Sequence, residues 1–467
     1  MSKVESALAS AINKHPEMPL VIAYSGGVDS QVLLHALSSL NQKNIIFPSI
    51  SNSITVCHVN HGLSMNASAW QLFAEQECLK LNLPLKICQV DIQPQPQQSL
   101  EALARDARYQ ALQSIYSEPS VIITGHHSDD QAETFLLALK RGSGLKGLSS
   151  MATVSKQAKD LLLRPLLNIS RVEIIEYAKN HDLTWIEDES NTDTRFDRNF
   201  IRNDIMPLLV NRWPSIVKTI NRSSEHCREG QLLLNELAVE DLGICQLDSN
   251  RLSVEPLSQL SPSRFNNLIR YFLEQKHCLM PSTEQLAQLR LQISADDDKN
   301  PAIKLGDHFL RRYKNALYLT GNFDDISDWQ HDVTLFETED VFELPNRLGK
   351  LHFLKTALTD IKDGSQRVTL PSKEKRITIR FTHNNPKCIP DYRNRSRSLK
   401  KVLQELNIPP WQRKRIPFLY YDDVMVAAIG FFVCKEFVPR IALLENDLSE
   451  NSSLQVMEPS LKITWTH

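Results

Sequence analysis

The sequence predicts an α/β protein in which a doubly wound parallel-sheet domain is followed by a mostly helical middle domain and a small α+β C-terminal domain. Three observations support this prediction. Short apolar runs alternate with longer amphipathic segments through about residue 210, which is typical of a parallel sheet covered by helices on both faces. A serine- and glycine-rich loop directly follows the first apolar run. Farther along, residues 250–320 begin with helical patterns and end in short strands.

The elements of the first domain are predicted in alternation. Its strands are expected at 20–24, 54–59, 85–90 and 121–124. Its helices are expected at 30–40, 66–81, 98–116 and 129–141. In the middle part, helices are expected at 256–277 and 283–293, with short strands at 309–312 and 317–319. Ligands of a parallel sheet bind outside the carboxyl ends of its strands, so the residues that follow each strand are the first candidates for a site.

Length and composition bound the number of domains. A chain of 467 residues with 42% hydrophobic and 23% charged residues has an ordinary globular composition and room for two to four domains. The acidic stretch 324–340 resembles a linker. The predicted segments are therefore 1–215, 216–325, a linker at 326–368, and 369–467.

Charge and cysteine usage narrow the class of protein. The net charge of −2 gives no overall case for nucleic-acid binding, but residues 387–415 contain nine lysines and arginines against two acidic residues. Such a tract is either a solvated surface or a contact to phosphates. The eight cysteines include no Cys-x-x-Cys pair, which argues against zinc, an iron–sulfur cluster and a disulfide framework. Neither a signal peptide nor a membrane span is predicted, and a cytoplasmic location is expected.

The most informative motif follows the first predicted strand. It is Ser25-Gly26-Gly27-Val28-Asp29-Ser30. Its glycines let the backbone bend, and the N–H groups of such a turn and of the next helix N-terminus form an anion site. We expect Asp29 or Ser30 to cap that helix. A Walker A loop is excluded, because no glycine–lysine–serine/threonine sequence follows.

Two further marked segments lie where the second and fourth predicted strands end. They are His58-Val59-Asn60-His61-Gly62-Leu63 and Gly125-His126-His127-Ser128-Asp129-Asp130-Gln131-Ala132-Glu133-Thr134. We expect Ser128 and Gln131 to form a capping box at the start of the next helix. Asp130 and Glu133 are three residues apart and share a helix face. With His126 they are suited to hold Mg²⁺ or an ammonium group, although acidic residues also simply complement a helix dipole.

Arginines recur at helical spacing in two other segments. Arg105 and Arg108 share a face of one predicted helix, and Arg198 and Arg202 follow the polar stretch 187–193. Arginines at this spacing form surface ion pairs or grip phosphates, and the sequence leaves both open. The stretch 141–147 fits the dinucleotide fingerprint but follows a helix, so we interpret it as a helix end and a flexible active-site loop.

Taken together, these motifs resemble the N-type ATP pyrophosphatases, or PP-loop superfamily, and within it the tRNA(Ile)-lysidine synthetase family. The resemblance runs through the first 210 or so residues and is looser afterwards, where 216–325 is similar to a substrate-binding domain and 369–467 to a tRNA-binding module. It implies a ligase that uses ATP and Mg²⁺ to join L-lysine to ring position 2 of the wobble cytidine of tRNA-Ile with the anticodon CAU. The implied reaction passes through an adenylated cytidine and releases pyrophosphate and AMP. Its product, lysidine, changes codon reading from AUG to AUA and amino-acid identity from Met to Ile.

The resemblance also implies roles for individual residues. The catalytic set is Asp29, Arg108, His126, Asp130, Glu133 and Arg202. The ATP-binding set is Ser25, Gly26, Gly27, Val28, Asp29, Ser30, His58 and Val59. The substrate-binding set is Arg141, Asp188, Asn191, Arg198, Lys400, Lys401, Arg413, Lys414 and Arg415. Asp29 and Asp130 are the implied metal ligands, and either His126 or Asp130 would take a proton from lysine.

Two alternatives stay open on the sequence alone. The first is another PP-loop enzyme, which adenylates a small molecule or a tRNA; a tRNA thiolase, however, would need cysteines at a spacing that this chain lacks. The second is a noncatalytic, ATP-gated RNA-binding protein, which the intact Asp29, Asp130 and Glu133 disfavour. The sequence does not decide between a monomer and a homodimer.

Overall fold

The computed structural model describes residues 1–46, 54–62, 64, 66–93, 100–293, 301–334, 339–356, 365–372, 374–439, 441–443, 455–457 and 460–466. Contacts between Cα atoms divide the chain into two compact units, Met1–Ala238 and Val239–His467. The predicted domain boundaries after residues 215, 325 and 368 stay predictions. In the part of the chain that is described, no helix is both long and apolar enough to cross a membrane.

The first unit alternates strands and helices, as the sequence predicts. Its strands are β1 (Leu20–Ala23), β2 (Ile54–Asn60), β3 (Leu85–Gln89), β4 (Val121–Ile123), β5 (Val154–Gln157) and β6 (Asp160–Leu163). Its helices are α1 (Lys3–Ile12), α2 (Val28–Gln42), α3 (Ala67–Lys80), α4 (Leu100–Gln113), α5 (Ser128–Lys140), α6 (Leu145–Leu148), α7 (Arg171–Asn180), α8 (Asp197–Phe200), α9 (Met206–Arg212) and α10 (Ile216–Cys245), which continues into the second unit. A 3₁₀ turn (Glu189–Thr192) precedes α8, and a π-helical turn (Ile201–Ile205) joins α8 to α9.

A six-stranded sheet organises this unit, in the order β3-β2-β1-β4-β6-β5. Every neighbouring pair is parallel except β5 with β6, so the antiparallel strand is confined to one edge. Successive side chains of β1 point to opposite faces: Leu20 and Ile22 join the core beneath α1, α2 and α7, whereas Val21 packs with Tyr109 and Leu112 of α4. Both faces are therefore buried, which explains the continuous apolar runs. The carboxyl ends of β1, β2 and β4 meet at one edge.

Two predicted helix caps are wrong. The N-cap of α2 is Gly27, which makes no side-chain cap; Ser30 instead donates from Oγ to the Gly27 carbonyl at 2.9 Å. The capping box of α5 is formed by His127 and Asp130 rather than by Ser128 and Gln131. The helix begins one residue earlier than predicted, and an imidazole nitrogen takes the place of the expected hydroxyl oxygen.

The second unit contains three larger sheets. Its strands are β7 (Gln246–Asp248), β8 (Arg251–Ser253), β9 (Ala302–Leu305), β10 (His308–Tyr313), β11 (Ala316–Gly321), β12 (Gln330–Val333), β13 (Glu339–Glu343), β14 (Lys350–Thr356), β15 (Gln366–Thr369), β16 (Ile377–Arg380), β17 (Lys387–Cys388), β18 (Arg397–Ser398), β19 (Phe418–Tyr421), β20 (Val424–Ala428), β21 (Phe432–Val433), β22 (Ile441–Leu443), β23 (Gln455–Met457) and β24 (Ser460–Thr466). Its helices are α11 (Val254–Gln259), α12 (Pro262–Glu274), α13 (Thr283–Ile293), α14 (Leu399–Glu405) and α15 (Pro410–Arg413).

The helix predicted at 283–293 is present as α13, but the one predicted at 256–277 is divided into α11 and α12, with Pro262 at the start of α12. These helices pack on an antiparallel sheet in the order β7-β8-β11-β10-β9. Residues 326–368, predicted as a linker, are not a bare connection. They contribute β12 to a sheet with β16, and β13 and β14 to a sheet with β24. Leu351 and Phe353 are buried between these two sheets. The acidic residues of this segment concealed its alternating apolar pattern.

Candidate active site

The serine–glycine loop lies between β1 and α2 at the edge where three strands end. Gly26 has a φ of +84°, and a Cβ built on it would lie 2.7 Å from Cδ1 of Ile186. The Gly26 carbonyl accepts a hydrogen bond from the Ile186 N–H at 2.9 Å. Ser25 and Ser30 close the turn, with their Oγ atoms 3.2 Å apart. Only glycine meets both the left-handed backbone and the close approach, so local geometry requires glycine at position 26.

A cavity of about 1110 Å³ opens beside this loop. It brings together residues predicted from all three strand ends and from the later arginine-rich segment: Ser25, Asp29, Ser30, His58, Val59, Arg108, His126, Asp130, Asp188, Asn191, Arg198 and Arg202. Gly26, Gly27 and Val28 shape the turn behind the lining, and Glu133 is buried next to Asp130. Arg141 is exposed and is not among the described residues that line the cavity. The predicted helix end at 141 is correct, but this residue is not brought to the site.

An arginine–carboxylate layer forms one wall. Arg198 donates from Nη2 to Asp130 Oδ1 at 2.9 Å and from Nε to Glu133 Oε2 at 3.0 Å. Arg202 makes the matching pair, with Nε 2.7 Å from Glu133 Oε1 and Nη2 2.9 Å from Asp130 Oδ1. Two adjacent carboxylates on α5 are thus neutralised by two arginines from α8 and the π-helical turn. The hydrogen bonds between these carboxylates and guanidinium groups are charge-assisted, and partial burial strengthens the attraction between the charges.

His127 connects this layer to the serine–glycine loop. Its imidazole is 1% exposed and lies among three carboxylates, with Nε2 3.6 Å from Asp29 Oδ1 and 3.4 Å from Asp130 Oδ2. Burial lowers the pKa of His127, but its hydrogen bond to Asp129 and the charges of Asp130 and Asp29 outweigh burial and raise it overall. Asp29 itself has a raised pKa, because burial disfavours its charge more than His127 supports it.

The other histidines are held neutral. Burial lowers the pKa of His126 to about 3, against the opposing charge of Asp130, and Arg164 and Arg198 lower it further. The pKa of His61 falls to about 4 through burial and the charge of Arg108. Burial thus keeps both imidazoles neutral and makes them weaker bases than a free histidine. His126 Nδ1 lies 2.8 Å from Thr124 Oγ1, which fixes the ring orientation.

A second group of arginines forms the opposite wall. Arg105 and Arg108 line the cavity, as their spacing predicts, and Arg105 stacks over the Tyr109 ring with 5.1 Å from its guanidinium carbon to the ring centroid. Within the described ranges, neither arginine pairs with a carboxylate. Desolvation by the cavity walls lowers the pKa of Arg108, although its side chain is exposed to solvent through the cavity. A guanidinium without a carboxylate partner in such a cavity favours an anionic ligand.

Comparison with known proteins identifies the family. A model described as the PP-loop domain matches residues 1–209, the TilS substrate binding domain matches 252–318, and the TilS substrate C-terminal domain matches 377–440. The tRNA(Ile)-lysidine synthase of Histophilus somni strain 129Pt is 39% identical over 429 residues, which are 91% of this chain and 98% of the relative. That of Coxiella burnetii is 39% identical over 422 residues, 89% of each chain. The chain belongs to the tRNA(Ile)-lysidine synthase family. The resemblance inferred from the sequence motifs is confirmed.

Enzymes that use ATP commonly bind it with Mg²⁺. The two predicted metal ligands, Asp29 and Asp130, are not equally available to a cation. Asp29 Oδ1 is buried and has no hydrogen-bond partner, so it is available to a cation. Asp130 accepts hydrogen bonds at Oδ1 from Arg198 and Arg202. At Oδ2 it accepts one from the main-chain N–H of His127 at 3.1 Å. Among the described residues, no group of three His, Cys, Asp or Glu side chains is arranged to hold a metal. A magnesium ion here would therefore take most of its ligands from phosphates and water, as is usual for Mg²⁺.

The basic tract at residues 387–415 contains both exposed cations and cations that are hydrogen-bonded within the fold. Lys400, Lys401 and Lys414 are exposed. Arg413 donates from Nε to the Ile408 carbonyl at 2.7 Å and from Nη2 to the Tyr313 hydroxyl at 3.2 Å. Arg415 bonds to Asn346. These two arginines thus have structural contacts in addition to their predicted role.

Several cavity residues were not predicted. Trp70 of α3, Phe196, Asn199 and Asn66 line the cavity. Trp70 is in a helix with a weakly amphipathic pattern, and Phe196 precedes a helix of only four residues, so neither stands out in the sequence. Ile186 was also missed as a residue that supports the loop. It directly precedes the acidic cluster, and its apolar side chain beside polar neighbours was the available signal.

Proposed function

We propose that this cavity carries out both steps of lysidine formation in tRNA-Ile with the anticodon CAU. In the first step the carbonyl oxygen at ring position 2 of the wobble cytidine attacks the α-phosphorus of ATP, and pyrophosphate leaves. In the second step the ε-amine of L-lysine attacks ring position 2, and AMP leaves with that oxygen. The modified base pairs with A rather than G, so the codon read changes from AUG to AUA and the amino acid from Met to Ile.

The serine–glycine loop would bind the leaving pyrophosphate. The turn at Gly26 and Gly27 presents main-chain N–H groups, and the N-terminus of α2 adds unpaired donors and a partial positive charge. Arg108, on the opposite wall, would neutralise the α-phosphate as it is attacked. Phosphoryl and nucleotidyl transfers depend mainly on positioning and charge neutralisation, so these groups supply what the step needs. Mg²⁺ held through Asp29 would supply further charge neutralisation at the phosphates.

The arginine–carboxylate layer would receive lysine. A free amino acid carries both an ammonium and a carboxylate, and this wall offers carboxylates at Asp130 and Glu133 beside guanidinium groups at Arg198 and Arg202. The ε-amine has a pKa of roughly 10.4 and is protonated at neutral pH, so it must lose a proton before it attacks. The candidates to accept it are His126 and Asp130, which line the same cavity.

The cavity size supports a reaction of several components. Sites for single small molecules usually enclose roughly 300–1,000 Å³. The cavity here, at about 1110 Å³, exceeds that range and is open. It has room for a nucleotide and for a base that has left the anticodon stack, which single-stranded loop bases can do. Trp70 and Phe196 provide aromatic surfaces at its edge.

The single observation that carries the proposal is the convergence, in one cavity, of an anion-binding loop, an Asp29 oxygen without a hydrogen-bond partner and an arginine–carboxylate layer. Thiolase chemistry in this cavity is disfavoured, because burial raises the pKa of Cys57, the cysteine that lines it, and suppresses its thiolate. The substrates, tRNA and ATP, are those of the cytoplasm, where we expect the protein to act. Lys400, Lys401 and Lys414 would contact the tRNA backbone.

Incorporation of labelled lysine tests the proposal. The purified chain is mixed with ATP, Mg²⁺, radiolabelled lysine and either a tRNA-Ile transcript with CAU or the same transcript with its wobble cytidine changed. Acid-precipitable label is expected with the first transcript only, and Asp29→Asn is expected to abolish it. Pyrophosphate release without label would retain the adenylation step and reject lysine as the nucleophile. Absence of both would reject the proposed reaction.

A further inference from the structure

A cluster of donors without hydrogen-bond partners lies in the second unit, and of its members only Arg415 belongs to the predicted substrate-binding set. The antiparallel sheet of β8, β10 and β11 buries Leu310 and Leu317 on one face. Its other face carries aromatic and basic side chains, because successive residues of β10 alternate and Arg311 is paired in register with Tyr318. The residues of this face are Phe309, Arg311, Tyr313, Tyr318 and Arg251.

The tryptophan of the Pro409-Pro410-Trp411 sequence packs on this face. Its ring centroid lies 5.3 Å from that of Tyr318 and 6.1 Å from that of Tyr313, both edge-on. The guanidinium carbon of Arg311 lies 5.4 Å from the Trp411 centroid and 4.6 Å from that of Phe309. Arg311 therefore lies among aromatic rings, and none of these contacts brings a carboxylate to its charge.

A second guanidinium belongs to the same cluster. Arg415 lies 4.5 Å from the centroid of Phe323, and Arg311 lies 5.9 Å from the same ring. Arg415 is anchored by Nη2, which donates to Asn346 Oδ1 at 3.2 Å and to its carbonyl at 3.1 Å. The nearest acidic group is Asp324, which is itself hydrogen-bonded to Asn346 at 2.7 Å. The two cations thus share one aromatic ring, and the nearby carboxylate of Asp324 acts on Arg415.

The unsatisfied atoms of this cluster are all donors. Arg311 Nε, Trp411 Nε1 and Arg415 Nη1 are buried and have no hydrogen-bond partner. Within the described part of the chain, Arg311 makes neither a hydrogen bond nor an ion pair, and its contacts are with rings alone. Buried donors without acceptors are rare in proteins and are costly when charged. The three residues are only half-buried as a whole, so the cluster is open on its solvent side.

We propose that Arg311, Trp411 and Arg415 form a binding site for a phosphate group, which is a backbone phosphate of the RNA substrate. A phosphate brings several acceptor oxygens and a negative charge, which is what three lone donors and two cations lack. Guanidinium groups bind phosphate through two parallel hydrogen bonds, and aromatic packing that pre-orients them lowers the entropy lost on binding. This site rests on the proposed function for the identity of its RNA, but not for its phosphate chemistry.

Filter binding of the tRNA-Ile transcript across 50–300 mM KCl tests the site. Arg311→Gln is expected to weaken binding about 10-fold at the lowest salt and to reduce the slope of log affinity against log salt by about one, because one phosphate contact is lost. Arg311→Lys, which retains the charge but not the fork, is expected to keep the slope and lose part of the affinity. Arg376→Gln is the matched control, since Arg376 is exposed and already paired with Asp332. Unchanged affinity and slope in Arg311→Gln would overturn the proposal.

A second variant separates loss of tRNA binding from loss of folding. Trp411→Phe keeps an aromatic ring and removes only the N–H donor, and it is expected to weaken tRNA binding about 3-fold with a normal melting temperature. If Arg311→Gln melts markedly early, Trp411→Phe decides, and wild-type affinity would then overturn the site. Inorganic phosphate is added in a parallel arm. Weakening of tRNA binding by millimolar phosphate in the wild type but not in Arg311→Gln would support the site, whereas phosphate binding that leaves tRNA affinity unchanged would assign the site to free phosphate and overturn the RNA assignment.

The outcomes separate this site from the proposed reaction. An Arg311-dependent salt slope in a chain that attaches no lysine would retain the phosphate site and reject lysidine formation. Lysine attachment with an unchanged slope in Arg311→Gln would retain lysidine formation and reject the phosphate site.

Discussion

Nε of Arg202 lies 2.7 Å from Oε1 of Glu133, and the same guanidinium reaches Asp130. Glu133 is 3% exposed, whereas the side chain of Arg202 is 26% exposed. The carboxylate is thus the buried partner, and the arginine is the one that can exchange its partner for a ligand.

Glu133→Gln is expected to lower the free energy of unfolding by about 2 kcal/mol, since truncating one partner of a buried ion pair leaves the other unpaired. It is also expected to lower kcat/KM for lysine about 30-fold, or about 2 kcal/mol. Urea unfolding and labelled-lysine incorporation measure the two effects. Glu225→Gln removes an exposed pair with Arg228 and should cost less than about 0.5 kcal/mol. Wild-type values in Glu133→Gln would contradict the proposed layer.

Gly26→Ala is expected to raise KM for ATP more than about 10-fold and to destabilise the chain by about 1–2 kcal/mol. The added methyl would lie 2.7 Å from Ile186, and alanine tolerates a φ of +84° poorly. Gly243→Ala is the control: this glycine lies within α10 with open space around it, so alanine should stabilise the helix by up to about 1 kcal/mol. ATP titration and thermal unfolding distinguish the two. An ordinary KM in Gly26→Ala would show that the loop is not a phosphate site.

The pH dependence of the lysine step should show no break near 6.5 that arises from His126. The pKa of His126 is lowered to about 3, so the ring is neutral throughout pH 5–8 and gains no accepting capacity as pH rises through that range. His126→Gln is expected to reduce the lysine step about 100-fold without changing the shape of the profile. The measurement is kcat/KM for lysine from pH 5.5 to 8, with the exposed His226→Gln as control. A break near 6.5 that disappears in His126→Gln would contradict this assignment.

Arg413 and Lys414 are neighbours in the basic tract, but their replacement should have different effects. Arg413→Gln loses hydrogen bonds to the Ile408 carbonyl and the Tyr313 hydroxyl, so the free energy of unfolding should fall by about 1–2 kcal/mol. Lys414→Gln should change it by less than about 0.5 kcal/mol and should weaken tRNA binding in a salt-dependent way. Urea unfolding and a gel-shift titration test the difference. Equal loss of stability in both variants would show that Arg413 has no special structural role.

The sequence predicts the parallel sheet well, because its strands are buried on both faces and their apolar runs are continuous. It also locates Asp130, Glu133, Arg198 and Arg202, since their types and spacing indicate charge chemistry. It does not predict that the four residues pair with one another. That pairing depends on where α8 and the π-helical turn lie against α5, which local spacing does not contain.

Errors arose where several residue types can satisfy the same local need. His127 caps α5 because its imidazole lies at the right place, although Ser128 is the better capping residue by type. The strands of residues 326–368 escaped notice because acidic residues interrupt their apolar alternation. Arg413 and Arg415 were grouped with Lys414 by charge, and only the fold shows which cations already have partners.

The hydrogen bond between the Ile186 N–H and the Gly26 carbonyl joins the serine–glycine loop to the chain segment that ends in Arg198 and Arg202. That segment has no long helix of its own, and exposed bonds from Asn66 to Glu189 and from Lys140 to Asp197 add to the contacts at its two ends. Because the buried contacts lie at the ends, we expect the stretch to open as one cooperative unit rather than residue by residue. In native-state hydrogen exchange, the amides of Ile186 and Arg202 would then share one opening free energy, and ATP would slow both together.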